Sequence, residues 1–245
     1  MNKVNNKKDE TMIELIAKIE NCEENCYCDR YTRELRTKNR VISIEELKAG
    51  KPLVDSWRGQ EILFISQAPS KQAWADGVLN SEDNEFLTNI LLRRMNRIIA
   101  RNKTEAVTFQ TWFSKVFWIH VANCYPFVNA KNRDRIPDMR CSNKWLSKVI
   151  ENINPKCIIL MGRSATRLFN NSISKQIGIE KTYPSLKEIL RWQYLNKSLL
   201  KVTLEYSITE YPVVVLPHAA WPYPEQQYEE YAYIRAAEII NGNKA

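Results

Sequence analysis

The stretch from Phe117 to Gly162 constrains the fold most, because it reads as a buried strand, a polar loop, an amphipathic helix and a second buried strand. Phe117-Trp118-Ile119-His120-Val121 is aromatic and β-branched. Pro126, just beyond Asn123-Cys124-Tyr125, ends the run because proline offers no amide to a ladder. Asn129-Ala130-Lys131-Asn132-Arg133-Asp134-Arg135 is too polar for a core and leads through Pro137 to Cys141. Trp145, Leu146, Val149, Ile150 and Ile153 then recur at helical spacing, and Asn154-Pro155 stops that helix. Cys157-Ile158-Ile159-Leu160-Met161 reads as the next strand. Strand, crossover helix and strand in this order argue for parallel pairing, so the chain is expected to be α/β. Cys124 at a strand end and Cys141 at a helix start are placed to clip the intervening loop through a shared metal.

The flanking sequence completes one domain. Residues 1–10 are polar and read as a flexible N-terminus; residues 11–245 read as a single unit with a variable insertion at residues 170–211. Thr11 is expected to cap a helix whose Met12, Leu15, Ile16 and Ile19 share one face. Ser43 and Glu46 have capping-box spacing. Glu61-Ile62-Leu63-Phe64-Ile65 reads as the first core strand and delivers Ser66-Gln67-Ala68-Pro69-Ser70. Because ligands of open parallel sheets sit beyond the carboxyl ends of strands, that turn is expected to border a site. Leu87, Leu91, Met95 and Ile98 mark the core face of the next helix, while Arg93, Arg97 and Arg101 line another. Within the insertion, Leu186, Ile189 and Leu190 suggest a helix and Val202-Thr203-Leu204 a strand. Pro212-Val213-Val214-Val215-Leu216-Pro217 reads as the last core strand, ending at His218-Ala219-Ala220-Trp221-Pro222-Tyr223-Pro224 before a closing helix.

Charge narrows the partners. With 36 Lys+Arg against 28 Asp+Glu, the chain carries a formal net charge of +8, which favours a polyanion such as nucleic acid. It has no run of about 18 apolar residues, and its first residues, Met1-Asn2-Lys3-Val4, lack the apolar stretch of a signal peptide. A cytoplasmic protein without membrane contact is expected. In a reducing compartment the six cysteines are expected as thiols, so clustered ones invite a metal. No Gly-x-Gly-x-x-Gly or phosphate loop is present, which argues against a nucleotide cofactor.

The order of these landmarks resembles the uracil-DNA glycosylase superfamily, closest to its iron-sulfur-cluster type. In that type a strand ending in Lys-Cys-Arg-Pro is followed by a second cysteine and then by Pro-Lys-x-Ile-x-x-Leu-Gly-x-x-Ala. Here stand Asn123-Cys124-Tyr125-Pro126, Cys141 and Pro155-Lys156-Cys157-Ile158-Ile159-Leu160-Met161-Gly162-Arg163-Ser164-Ala165, with sixteen residues between Cys124 and Cys141. The resemblance implies a three-layer α/β/α sandwich around a short, mainly parallel four-stranded sheet. It implies a DNA glycosylase, a monomer, that hydrolyses the N-glycosidic bond of a flipped damaged or modified base. Modified pyrimidines of phage DNA, and so antiviral defence, fall within that range. A uracil-excising repair enzyme and a DNA-binding member that has lost catalysis are the alternatives.

The same resemblance assigns the site. Ser66-Gln67-Ala68-Pro69-Ser70 stands where the family has Gly-Glu-Ala-Pro-Gly, and His218-Ala219-Ala220-Trp221 at its His-Pro-Ser loop. His218 becomes the expected catalytic donor to the departing base, with Ser66, Ala68, Pro69 and Ala219 around it and Trp221 beside the duplex. Gln67 replaces the motif glutamate, and Ala68 stands where other branches place a water-activating aspartate. Asp76 is the first substitute among nearby carboxylates. Asn80 is expected where the family has an aromatic that stacks on the base, and His120 where an asparagine reads it. These departures argue that plain uracil is not the preferred base. Cys22, Cys26 and Cys28 stand near the family's Cys-x-x-Cys pair; with Cys124 and Cys141 they give five candidates for the four thiolates of a [4Fe-4S] cluster, zinc being the alternative.

Overall fold

Four of the apolar runs pair as parallel strands in the computed structural model, which describes residues 3–24, 26, 31, 33–38, 40–102, 104–127, 136–179, 183–204, 208–221 and 223–242, with side chains from Thr11 onward. The chain opens with helix α1 (Lys3–Glu20), a short antiparallel pair β1 (Leu35–Arg36) and β2 (Val41–Ile42), and helix α2 (Ile44–Ala49). The main sheet begins at β3 (Ile62–Ser66). After it come α3 (Lys71–Asp76), a π-helical segment at Phe86–Leu92 running straight into α4 (Arg93–Ile99), then α5 (Phe109–Lys115) and β4 (Val116–His120). α6 (Met139–Ile153), β5 (Cys157–Met161), α7 (Gly162–Thr166), α8 (Asn170–Ile177) and α9 (Leu186–Asn196) precede β6 (Leu200–Thr203), β7 (Glu210–Leu216) and the closing helix α10 (Gln226–Ile240).

The sheet runs in the order β4-β3-β5-β7-β6. The first four strands are parallel and β6 is antiparallel to β7. Every residue of β3, β4 and β5 is buried, which is why their sequences are continuous apolar runs: a parallel sheet covered on both faces has no polar side to alternate with. β4 and β5 pair on opposite sides of β3. The loop after β3 therefore stands where the connections diverge, the place where open α/β sheets bind ligands. Helices flank the sheet, with α10 packed on α4 and α9, and α1 packed on α6.

Local signals explain the helix ends. Ser43 and Glu46 form the expected capping box, Asn154 closes α6 in the left-handed region at φ 47°, and Asp138 caps its start. Two expectations are corrected. α1 extends back to Lys3, so Thr11 lies within it rather than capping it. The sheet has five strands, not four, because the strand expected at Val202-Thr203-Leu204 forms as Leu200–Thr203 and joins the open edge of β7. None of the described helices is long and apolar enough to cross a membrane.

A second, smaller core ties the segment before β3 to the loop after β4. Tyr31, Leu35, Ile42 and Leu47 pack there with Trp74, Tyr125 and Phe127, and the Tyr31 hydroxyl donates to the Tyr125 carbonyl at 2.8 Å. Trp74 lies so close to Gly50 that a methyl group there would fall inside the ring's van der Waals envelope. The Trp74 indole N–H, donating to the Lys51 carbonyl at 3.0 Å, keeps the ring in place. Gly50→Ala is therefore expected to lower stability by ~2 kcal/mol, the scale of overpacking a filled core, as read from a denaturant midpoint. An unchanged midpoint would show that Trp74 moves aside freely.

Candidate functional site

The carboxyl ends of β3, β4, β5 and β7 enclose a cavity of about 160 Å³. Ser66, Gln67, Ala68, Pro69, His120 and His218 line it, so the structure gathers residues far apart in sequence around one hollow. Phe86, Trp118 and Met161 complete its apolar wall. No Asp or Glu lines it among the described residues.

His120 forms part of the buried floor. The β3–β4 register sets Ser66 opposite His120, and Ser66 Oγ lies 2.7 Å from His120 Nδ1. Trp118, two residues earlier and on the same face of the strand, donates its indole N–H to the same oxygen at 2.9 Å. The His120 main-chain N–H is held by Asn123 Oδ1 at 3.1 Å. His120 Nε2 is buried without a protein partner. Burial alone pulls the pKa of His120 down to about 3, so the ring is neutral at physiological pH.

His218 faces the cavity from the loop after β7. The Ala220 N–H donates to His218 Nδ1 at 3.2 Å, which makes Nδ1 an acceptor and leaves Nε2 as the ring's donor atom. Phe86 packs against this ring at 5.7 Å between centroids and against Trp118 at 6.1 Å. Arg94 holds the loop from behind: its Nη1 donates to the Ala219 carbonyl at 2.8 Å, while its Nε donates to the buried Glu229 of α10 at 2.6 Å. The Tyr233 hydroxyl adds a bond to the Pro217 carbonyl at 3.2 Å.

Several expected site residues lie elsewhere. Asn80 is outside the cavity, with its Nδ2 donating to Asp55 at 2.8 Å and to the Val116 carbonyl at 3.2 Å. An aromatic does line the cavity, and it is Phe86. Asn84 orients it, since its Oδ1 accepts the Phe86 and Leu87 N–H groups at 3.0 and 3.2 Å. Asp76 is exposed at the end of α3, hydrogen-bonded by Gln72, and does not line the cavity. Gln67 does line it, but its Oε1 accepts the Ser164 hydroxyl at 3.0 Å, and an amide cannot act as a carboxylate base. Ala219 is buried behind the loop, and Trp221 is 71% exposed beside it.

A second hollow adjoins this loop. Arg93 and Arg97, both exposed, line it with Asn89, Ala219 and Ala220. Neither arginine belongs to an ion pair among the described residues, whereas Arg101 reaches Glu230 at 3.6 Å.

The cysteines divide as their burial dictates. Cys157 is wholly buried in β5, where burial pushes its thiol up to about 12. Cys22, Cys26, Cys124 and Cys141 are partly exposed and in no disulfide. Cys26, Cys124 and Cys141 pack against the small core, and Cys141 receives the Asn123 N–H at 3.5 Å. Cys141 is pushed up to about 11, first by burial and then by the neighbouring Cys26 and Cys22, so these thiols stand within electrostatic reach of one another. Arg140 and Lys144 stand near enough to favour anions there, Arg140 acting on Cys26 and Lys144 interacting with Cys22 and Cys26. In kind, as free thiols, the donors suit a thiolate-bound group. No three His, Cys, Asp or Glu side chains among the described residues are gathered as a metal-binding group, and Cys28 lies outside the described residues.

Residues 57–231 match the model of the family described as the Uracil DNA glycosylase superfamily, which is more than half of the chain. No curated protein matches the chain.

Asn80 and Asp55 carry a stability prediction. Asp55 is 3% exposed and accepts from Arg58, Asn80 and the Trp118 N–H. Asn80→Ala is expected to cost ~2 kcal/mol by leaving a buried carboxylate short of a donor. Burial raises Asp55 from 3.8 to about 6, so the folded chain binds a proton there more readily than the unfolded one. That contribution is complete at low pH and is lost as pH rises from 3.8 to about 6. The stability of the wild type relative to Asp55→Asn is expected to fall across that window in denaturant titrations. A pH-independent difference would contradict the assignment.

Proposed function

The chain belongs to the uracil-DNA glycosylase superfamily, and on that footing we propose that it is a DNA glycosylase hydrolysing the N-glycosidic bond of a damaged or modified base flipped out of DNA. The observation that carries the reading is His218, which lines the cavity and whose Nδ1 accepts the Ala220 N–H, so that Nε2 is the ring's donor atom. As the glycosidic bond breaks, negative charge grows on the base and positive charge on the sugar. A neutral imidazole N–H aimed at the base's carbonyl oxygen stabilises that charge where it develops. Phe86 and Trp118 offer apolar surface to the base, and Arg94 is a positioning residue that keeps the His218 loop in place through Ala219.

The absence of a carboxylate from the described lining shifts the burden of catalysis. Gln67 orients rather than deprotonates water, so the rate rests on leaving-group stabilisation and on the ease with which the base departs. A base more readily expelled than uracil suits this site, whether a lesion of cellular DNA or a modification of phage DNA. Arg93 and Arg97 stand beside the catalytic loop as receptors for the phosphates flanking the flipped nucleotide, and exposed Trp221 is placed to occupy the space it vacates. The same reading gives the thiol group a structural role. A [4Fe-4S] cluster held by Cys22, Cys124, Cys141 and one of Cys26 or Cys28 would tie the end of α1 to the loop between β4 and α6.

Oligonucleotides carrying uracil, hypoxanthine, 5-hydroxymethylcytosine or its glucosylated form, cleaved with alkali after incubation, test the activity. Strand scission at one or more of these bases is expected. Tight DNA binding with every base left intact would favour a binding protein that has lost catalysis. His218→Ala is expected to lower single-turnover excision by ~100-fold or more while DNA affinity stays within a few fold. Phe86→Ala is expected to cost ~10-fold in kcat/KM through lost stacking. Replacing Arg93 and Arg97 together with Ala should flatten the salt dependence of DNA binding by about two phosphate contacts. For the cluster, anaerobically purified protein is expected to be brown and to lose iron in Cys141→Ser but not in Cys157→Ser. Stoichiometric zinc without iron would overturn that assignment.

A further inference from the structure

We propose that the apolar hollow beside Ser164 is a second subsite, which receives the base of an unpaired nucleotide next to the flipped one and stacks it on Tyr183. This rests on the glycosylase reading for the identity of the strand, but the residues that carry it lie outside the strand-end cavity. The hollow, about 400 Å³, is lined by Ile136, Pro137 and Met139 around the start of α6 and by Ser164, Arg167 and Tyr183. Ile136 is 71% exposed, Tyr183 59% and Met139 37%, so three of the large apolar side chains left in water among the described residues meet at one place. Single exposed apolar residues are ordinary, whereas a group of them around a concave surface marks a binding site. The hollow is continuous with the cavity, because the Ser164 hydroxyl donates to Gln67 Oε1 at 3.0 Å and Gln67 lines the cavity. The Arg93 and Arg97 hollow instead adjoins the cavity at the His218 loop, through Ala219 and Ala220. A strand whose target nucleotide enters the cavity therefore meets a basic hollow on one flank and this apolar one on another.

Charge identifies the occupant. Among the described residues Arg167 is the one charged side chain lining the hollow. Its Nε is buried without a hydrogen-bond partner, and its guanidinium carbon stands 5.9 Å from the centre of the Tyr183 ring. Arg167 follows Ser164 by three residues at the end of α7, so the two side chains fall on one face of that turn. No acid offsets it there. Asp138, the acid between Ile136 and Met139, accepts the Arg140 N–H at 3.0 Å and the Arg140 guanidinium at 2.8 Å, so it caps α6 and does not line the hollow. An apolar ring face for Tyr183 and a phosphate for the guanidinium is the combination that a nucleotide supplies, and aromatic platforms in basic surroundings are how single strands are held. An apolar peptide would leave the buried Arg167 donor unanswered. A base inside a duplex has both faces covered by its neighbours and cannot reach Tyr183, so the subsite demands that the nucleotide beside the target be unpaired.

Fluorescence anisotropy of the full chain with a short labelled oligothymidylate provides the test. Its central nucleotide is a tetrahydrofuran, which stands for the target after base loss, and two companion strands also lack the thymine on the 5′ or the 3′ side of it. Tyr183→Ala is expected to weaken binding to the strand with both neighbours ~5-fold or more. On one of the companion strands the same substitution is expected to have no effect, because the base that stacks on the ring is already gone. Tyr183→Phe, which keeps the ring, is expected to bind as the wild type does, and since Tyr183 is exposed neither variant disturbs the core. In a duplex with the same central nucleotide the effect of Tyr183→Ala is expected to vanish. Equal loss on all three single strands overturns the subsite, as does no loss on any of them or an equal loss in the duplex. Excision of a base from DNA by a protein without this coupling would keep the glycosylase reading and remove the subsite. Coupling in a protein that excises none of the bases tested would do the reverse.

Discussion

The parallel register that sets Ser66 opposite His120 is the constraint on which the site depends. A strand slipped by one residue presents the other set of side chains to each face, so a shift would place Ile119 where His120 now meets Ser66. The register is fixed by the apolar runs themselves, since Leu63, Phe64, Phe117 and Trp118 are all buried and no shifted pairing keeps the same contacts. It is also fixed from outside the sheet. Asp55 accepts the Trp118 N–H, and Asn80 bridges Asp55 to the Val116 carbonyl, pinning the start of β4 at its edge. Polar groups that appear remote from the chemistry thus decide where Trp118 and His120 point.

The opposite wall depends on a different device. The loop carrying His218 has no ladder of its own, and its position comes from α4 and α10 through Arg94, Glu229 and Tyr233. Arg94 and Glu229 are both largely buried, with side chains 13% and 7% exposed. Such a pair contributes little net stability but is costly to break, because removing one partner strands the other charge. What it supplies here is a fixed loop. The two halves of the site are therefore held independently, one by a sheet register and the other by a helix-borne ion pair, with Phe86 touching both histidine-bearing walls through Trp118 and His218.

Much of this was legible in the sequence because burial on both sides of a parallel sheet leaves continuous apolar runs, and because helix ends carry chemical signals such as Ser43-Glu46 and Asn154-Pro155. The two histidines at strand ends were legible for the same reason. Phe86 was not. It directly precedes Leu87, the first residue of an apparent helical core face, but the segment Phe86–Leu92 is a π-helix whose wider turn follows a different period, and Asn84 sets the angle at which it starts. Asn80 was misread for a related cause, since spacing along a loop does not reveal which side chain turns inward and which bonds a buried carboxylate. Asp55 gave no signal either. A lone aspartate in a connecting segment looks like a solvated one until the fold surrounds it. β6 was legible as a strand at Val202-Thr203-Leu204 but not as the fifth member of the sheet, because a four-residue edge strand carries no sign of which neighbour it pairs with.

The central claim is that the cavity at the strand ends holds a base removed from the DNA stack, with the His218 imidazole as hydrogen-bond donor to it. The most direct measurement is a crystal structure with a duplex in which the nucleotide excised fastest carries a 2′-fluorine, which slows bond cleavage by destabilising positive charge on the sugar. The account predicts the base seated against Phe86, with Nε2 of His218 within hydrogen-bond distance of a carbonyl oxygen on it. A target nucleotide left stacked in the duplex, or a base in the cavity that does not touch His218, would contradict it.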